Sequence, residues 1–232
     1  MPVLYLIPSL LHEEGLDAIP ASVLTAVKDS QVIFAENERT TRRYLKKLDK
    51  TIVIDDYEWF SMETSEQKMV HSFRKKLVEG KNIALLSEAG CPGIADPGQK
   101  LIRIAQEMNI VVKPLVGPNS ILLALMASGM NGQQFQFLGY LPIDQQERAK
   151  AIRSAEGESR KKNCTQVFIE TPYRNNQLLD ALLRNCQAET RLCIAADLTS
   201  PAEWIRTKKI GEWKKEIPDI HKRPAIFLLH AS

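Results

Sequence analysis

Leu85-Leu86-Ser87-Glu88-Ala89-Gly90-Cys91-Pro92-Gly93-Ile94-Ala95-Asp96-Pro97-Gly98 carries an apolar strand pattern without a break into a loop of acids, glycines and prolines. Gly90, Gly93 and Gly98 can take positive φ and let a ligand approach the main chain, while Pro92 and Pro97 stiffen the path and remove donors at set points. Glu88 and Asp96 place carboxylates at its two ends. Composition alone admits two readings, a loop that presents backbone to a ligand and an ordinary strand-to-helix connection.

Working outward, apolar runs at 3–7, 32–35, 51–54, 83–87 and 110–115 read as strands. Between them, amphipathic segments at 21–28, 40–48, 65–79 and 99–108 read as helices. Such alternation argues for an α/β fold with a mainly parallel N-terminal sheet covered on both faces, where ligands sit at the carboxyl ends of strands. Pro8, Glu36 and the Glu88 loop fall at such ends. After Leu115 the character changes. Val116-Gly117-Pro118-Asn119-Ser120 opens a very apolar helix capped near Asn119 or Ser120, which makes 1–116 and 117–232 the expected domains. The second half has strand patterns at 135–139, 165–169, 192–197, 204–207 and 225–229 and a helix at 175–185; short connections near Trp204 suggest hairpins and a mixed sheet.

With 44% hydrophobic and 25% charged residues in 232, the chain can bury a real core and is neither disordered nor fibrous. No apolar run approaches the roughly 20 residues of a spanning helix, and the N-terminus lacks the basic region of a signal peptide. No membrane association and a cytoplasmic location are expected. Cys91, Cys164, Cys186 and Cys193 have no paired spacing and no clustered histidines, so they read as reduced, mostly buried thiols, with no metal site. His12, His71, His221 and His230 are not site candidates. A net charge of +3 diagnoses nothing by itself, because nucleic-acid binding needs a concentrated basic face. Two local groups matter more. Arg39, Arg42, Arg43 and Lys46 can share a helix face, with Lys47 beside them, and 144–163 carries Arg148, Lys150, Arg153, Arg160, Lys161 and Lys162 among acids. The second reads as a solvated helix and exposed loop or as a phosphate-contacting edge.

The Glu88 loop resembles the S-D-A-G-T-P-x-I-S-D-P-G signature of the tetrapyrrole methylase-like superfamily, in particular its ribosomal RNA 2'-O-ribose methyltransferase branch. Other matches follow in the same order. Phe34-Ala35-Glu36-Asn37-Glu38-Arg39-Thr40-Thr41-Arg42 resembles A-E-D-T-R-x-T-R, and Val116-Gly117-Pro118-Asn119-Ser120 resembles G-P-S-A. Phe137-Leu138-Gly139-Tyr140-Leu141-Pro142 resembles F-x-G-F-L-P, and Ile169-Glu170-Thr171-Pro172-Tyr173-Arg174 resembles E-S-P-H-R. The resemblance implies two α/β domains with the cofactor cleft between them, a homodimer, S-adenosylmethionine as cofactor and ribosomal RNA or the small ribosomal subunit as partner.

It also implies that Ser87, Glu88, Ala89 and Gly90 with Ile94 line one wall of the cofactor pocket, Asn119 and Ser120 another, and that Pro8, Thr171 and Pro172 close it. Ser120 also reads as a plain helix cap, and Thr171-Pro172 as a plain strand exit. A methyl donor is already activated, so the protein chiefly holds nucleophile, methyl carbon and leaving sulfur in line. A ribose hydroxyl benefits from a base, and Glu36 and Asp96 are the candidate catalytic carboxylates. Their structural alternatives are pairing of Glu36 with Arg39 or Arg42, and capping by Asp96 of the helix near Gly98.

The pattern breaks on the substrate side. The branch's T-P-I-G-N-L opening is replaced by Pro8-Ser9-Leu10-Leu11-His12-Glu13-Glu14, and its R-E-L-T-K-x-x-E by Ala196-Asp197-Leu198-Thr199-Ser200-Pro201-Ala202-Glu203. Its late K-G-E is replaced by Lys222-Arg223-Pro224. The change at 196–203 removes two positive charges, Arg becoming Ala196 and Lys becoming Ser200. The expectation is a methyltransferase with a retained cofactor site, acting on rRNA ribose. The alternatives are a tetrapyrrole or other small-molecule methylase and a non-catalytic S-adenosylmethionine-binding protein.

Overall fold

Period-2 alternation builds the first sheet. In a computed structural model that describes residues 1–231, strands β1 (Val3–Ile7), β2 (Val32–Ala35), β3 (Glu58–Ser61), β4 (Ile83–Leu86) and β5 (Val111–Pro114) pair in the order β3-β2-β4-β1-β5. Every pair in this sheet is parallel. In β2 and β4 the alternate residues Val32, Phe34, Ile83 and Leu85 face one apolar cluster, and Ile33, Ala35, Ala84 and Leu86 face the other. Helices α1 (Ala21–Asp29) and α2 (Glu38–Leu48) supply Val23, Val27, Tyr44 and Leu45 to the second cluster. Helices α3 (Glu66–Val78) and α4 (Gln99–Glu107) supply Met69, Phe73, Leu77, Leu101 and Ile104 to the first. Phe34 stacks on Phe60 at 4.8 Å and takes Phe73 edge-on at 5.3 Å, so Phe34→Ala would cost about 3–5 kcal/mol.

The strand order places the sheet's switch point between β1 and β4. From β1 the chain crosses towards β2, and from β4 it crosses through α4 to β5, so their carboxyl ends bound a crevice with chain leaving on both sides. This unit runs from Met1 to Asn119, and the junction expected at 116/117 lies in the loop that follows β5.

The second unit, beginning at Ser120, has a mixed sheet. Strands β6 (Phe135–Tyr140), β7 (Thr165–Ile169), β8 (Arg191–Ala196), β9 (Trp204–Lys209) and β10 (Ala225–His230) run in the order β6-β7-β10-β8-β9. Only β6 and β7 are parallel; the other three pairings are antiparallel. Helices α6 (Gln145–Lys162) and α7 (Asn175–Asn185) and the short α8 (Ile210–Trp213) bury Ile152, Leu178, Leu182, Ile210 and Trp213 against Phe168, Ile194 and Phe227. Helix α5 (Ser120–Ser128) packs along β8, β9 and β10. The mixed sheet expected from the hairpin-like spacing is the one found.

Residues 51–54 are not a strand. The Asp49 carboxylate accepts hydrogen bonds from the Thr51 amide and hydroxyl, at 2.8 and 2.7 Å, which makes a turn, and Ile54–Asp56 is a 3-10 turn. The fifth strand is β3 instead. The 144–163 segment is one long helix, α6, bounded by the Asp144 carboxylate, which caps the amides of Gln146 and Glu147, and by a left-handed Asn163. No helix among the described residues is long and apolar enough to cross a membrane.

Candidate active site

Parallel pairing of β1 with β4, Ile7 opposite Leu86, makes the two chains leave the sheet side by side. The Ser9 amide donates to the Gly90 carbonyl at 2.8 Å and the Gly90 amide returns the bond to Ser9 at 3.2 Å. The buried Ser9 hydroxyl donates to the Ser87 carbonyl at 2.7 Å. Gly90 takes φ +73° here, a conformation that strains any residue with a Cβ. From α2, the buried Tyr44 hydroxyl donates to the Pro8 carbonyl at 2.7 Å; burial pushes its pKa upward, so it stays a donor. The turn after β5 lies hard against the same point. A Cβ on Gly117 would fall 2.1 Å from the Pro8 Cβ. The Cys91 thiol, raised in pKa by burial, donates towards the Pro118 carbonyl at 3.5 Å.

Two carboxylates hold the Glu88 loop. Asp96 Oδ1 accepts from the amides of Gly93 at 2.9 Å and Gly98 at 2.8 Å, folding the loop around its own side chain. Oδ2 is buried without a hydrogen-bond partner in the described structure. Burial raises the Asp96 pKa, the two amides oppose the shift, and the Glu36 charge adds to it. Glu36, at the end of β2, accepts from the Glu88 amide at 2.8 Å. It is therefore bound to the loop and not paired with Arg39 or Arg42. The bond to the Gly98 amide at the start of α4 is the capping contact expected of Asp96, since Gly98 itself brings no side-chain cap.

The structure thus ties Pro8 through Tyr44, Ser87 and Gly90 through Ser9, and Glu36 directly to Glu88, at the ends of these strands; Gly117 packs on Pro8, and Asp96 clamps the same loop further along. Glu88, Ala89 and Ile94 are exposed, and Asn119 is half-buried at the end of the same turn. Ser120, Thr171 and Pro172 belong to the second unit. There the Thr171 amide donates to the buried Glu170 carboxylate at 2.7 Å, and Arg174 grips the same oxygen through Nε and a terminal nitrogen, at 2.9 and 2.6 Å. Pro172 opens a 3-10 turn and its carbonyl accepts from the Lys222 amide at 2.9 Å. Ser9, Tyr44 and Glu170 were not site candidates in the sequence. Their signal was positional only, a short polar side chain or a tyrosine beside a quoted motif.

The model of the family described as Tetrapyrrole (Corrin/Porphyrin) Methylases matches residues 15–214. The chain belongs to this tetrapyrrole methylase family. "Ribosomal RNA small subunit methyltransferase I" of Vibrio cholerae is 30% identical over 235 residues, covering 99% of this chain and 77% of that protein. The protein of the same name from Escherichia coli O157:H7 is 30% identical, covering 97% and 77%. That of Halalkalibacterium halodurans is 32% identical over 169 residues, covering 73% of this chain and 56% of that protein. Among solved structures, the methyltransferase CobJ superposes with a TM-score of 0.63 over 100% of this chain and 93% of its own, at 16% identity. Uroporphyrin-III C-methyl transferase from Thermus thermophilus, complexed with S-adenyl homocysteine, gives 0.58 at 13% identity, over 99% and 97%. These two share the fold. Within the family the chain falls in the small-subunit ribosomal RNA methyltransferase branch, and it is an S-adenosylmethionine-dependent methyltransferase.

The donor set at the β1 and β4 ends suits such a cofactor. Its sulfonium and ammonium are cationic, and the cluster supplies the carboxylates of Glu36, Glu88 and Asp96 with an exposed main-chain turn at Glu88 and Ala89. Among the described residues no group of three or more metal-ligating side chains occurs.

The departures from the branch pattern also have a structural account. Arg223 donates through Nε to Asp197 at 2.5 Å and through a terminal nitrogen to the Ala202 carbonyl at 3.1 Å. A guanidinium thus reaches the 197–203 loop from another element where Ala196 lacks one. The two basic groups are less uniform than their sequence suggests. Arg42 stacks over Trp59 at 4.3 Å and pairs with Glu38, and Lys46 donates to the carbonyls of Lys50 and Ile52. In α6, Arg148 is buried on the Pro142 and Ile143 carbonyls, Arg153 binds Asn185, and Lys162 pairs with Glu158.

Proposed function

We propose that this methyltransferase acts on a ribose 2'-hydroxyl of small-subunit ribosomal RNA. The observation that carries the reading is full-length similarity to curated relatives bearing the small-subunit methyltransferase name, over 97–99% of the chain for two of them. The bound cofactor supplies an activated methyl group. What the chain contributes is position. We assign Pro8, Ser87, Glu88, Ala89, Gly90, Ile94 and Asn119 of the first unit to holding the cofactor, and the same reading gives Ser120, Thr171 and Pro172 of the second unit to it. The Ser9–Gly90 bridge, the Asp96 clamp and the Glu36 bond to Glu88 fix the turn before any ligand arrives, so little ordering is left for binding to do.

Removal of the hydroxyl proton falls to a carboxylate. Asp96 keeps Oδ2 without a partner, and its burial strengthens its hold on a proton; Glu36 is the second candidate. A base is worth about 10²–10⁴-fold in rate. Asp96→Asn and Glu36→Gln separate the roles. Loss of turnover with cofactor affinity kept supports a base, and parallel loss of both supports positioning. Homodimerisation and a cytoplasmic location belong to the same proposal, the former tested by sedimentation.

The experiment for the function is calorimetric titration of S-adenosylmethionine, followed by methyl transfer to small-subunit rRNA. Binding lost in a folded Ser120→Trp variant supports the cofactor assignment. No binding by the folded wild type defeats it.

A further inference from the structure

Beside the Glu88 turn, and wholly within the first unit, lies a cavity of about 790 Å³ between the first loop and α2. Its volume is that of a small-ligand site, where 300–1,000 Å³ is usual. Leu10, Leu11 and Leu16 supply apolar lining. The same cavity is lined by four basic residues, Arg43, Lys46, Lys47 and Lys50, against two acids, Glu13 and Glu88. The four are not equivalent. Lys46 is bonded to main-chain carbonyls, and Lys47 is bound to the Glu13 carbonyl at 3.1 Å with the Glu13 carboxylate at 3.6 Å. Arg43 and Lys50 are exposed, and among the described residues no carboxylate lies within ion-pair distance of either. Thr40, Arg43 and Lys47 follow one another at the spacing of one helix face, and Lys50 continues past the helix end.

We infer that Arg43 and Lys50 are contacts for the phosphates of a single-stranded RNA segment that enters this cavity. The inference rests on the ribosomal RNA reading above and adds where the RNA is held. Two features favour a nucleotide chain over a compact anion. The lining combines exposed cations with leucines that suit a base. Ser87, Glu88 and Ala89 also line it, the same turn assigned to the cofactor, so a strand anchored on α2 is brought beside the place where a methyl group is presented. It also gives a use to the first loop, where the chain replaces T-P-I-G-N-L with bulkier residues that now form the apolar wall.

The test is fluorescence anisotropy with a labelled single-stranded oligonucleotide of small-subunit rRNA sequence, at 50 and 200 mM salt. It compares wild type, Arg43→Gln/Lys50→Gln, and Lys75→Gln on the opposite face. Each lost phosphate contact lowers the logarithmic salt slope by about 0.7 for a single strand. The double variant is expected to have a slope shallower by about 1.4, so that its affinity falls about sevenfold less over this fourfold salt range. Lys75→Gln is expected to match wild type, and S-adenosylmethionine calorimetry establishes that each variant is folded. If the double variant binds RNA with wild-type affinity and slope, the inference fails while the function stands. If folded, cofactor-binding wild type binds no RNA at all, the RNA reading itself fails.

Discussion

Gly117→Ala is the sharpest perturbation of the cluster at the β1 and β4 ends. An added Cβ would sit 2.1 Å from the Pro8 Cβ and 2.4 Å from its Cγ, so one segment must retreat by about 1.3 Å to restore an ordinary 3.4 Å contact. Neither side yields easily. Pro8 is a rigid ring whose carbonyl is held by Tyr44 and whose neighbour Ser9 is bridged to Gly90. Gly117 lies between Val116 and Pro118, whose φ is fixed. Overpacking of this kind costs about 3 kcal/mol, or roughly 6–12 °C in melting temperature for a chain of this size. Because retreat also moves the Glu88 turn, cofactor affinity falls with stability. Gly132→Ala is the control. Nothing lies within 4 Å of its Cβ and its φ is ordinary, so its effect stays within about 0.5 kcal/mol. Calorimetric melting and cofactor titration of both variants read the outcome. A Gly117→Ala protein that melts like wild type and binds the cofactor equally well would refute the packing argument.

Asp96→Ala leaves the amides of Gly93 and Gly98 without their acceptor and is expected to cost about 2–6 kcal/mol, at 1–3 for each donor; chemical denaturation reads it. The pH dependence has a definite sign. Burial raises the folded-state pKa of Asp96, so its protonated form favours the folded chain, and that contribution declines as pH rises from the ordinary carboxylate range through the raised value. Asp96→Asn removes that decline, and denaturation of the two proteins across this range measures the difference. Tyr44→Phe removes the bond to the Pro8 carbonyl and should cost about 1–3 kcal/mol, with a measurable loss of cofactor affinity because Pro8 leads into the Ser9–Gly90 bridge. Arg223→Ala removes the Asp197 pair and the Ala202 contact and should lower stability by about 1–3 kcal/mol in thermal unfolding.

Much of the architecture was legible because the central strands β2 and β4 are buried throughout and each leads on to an amphipathic helix. The Glu88 loop was legible for a related reason, since Gly90 and Gly93 take φ +73° and +84°, whereas Gly98 adopts a helical φ of −63° that needs no glycine. Strand β3 escaped because Glu58-Trp59-Phe60-Ser61 is a half-exposed edge strand with little apolar signal. Residues 51–54 misled because Ile52 is buried from a turn. The side-chain work of the site was legible only in part. Glu36 and Asp96 stood out as acids at strand and loop ends, but their partners lie on the loop backbone and not on Arg39 or Arg42. The contacts of Ser9 and Tyr44 span 78 and 36 residues, and no local pattern encodes them. Arg42 was grouped with its basic neighbours by helical spacing, whereas Trp59, brought in by β3, draws it aside.

The central claim is methyl transfer to a ribose of small-subunit RNA. The direct measurement uses S-adenosylmethionine labelled in its methyl group, unmodified small-subunit rRNA and the purified chain, followed by alkaline hydrolysis of the RNA. Alkaline cleavage needs a free 2'-hydroxyl. The account predicts RNA-bound label recovered in alkali-resistant dinucleotides, with transfer reduced in Arg43→Gln/Lys50→Gln and the reduction larger at 50 mM than at 200 mM salt. Label recovered only in mononucleotides would contradict the ribose acceptor, and a folded, cofactor-binding protein that leaves the RNA unlabelled would contradict the RNA substrate.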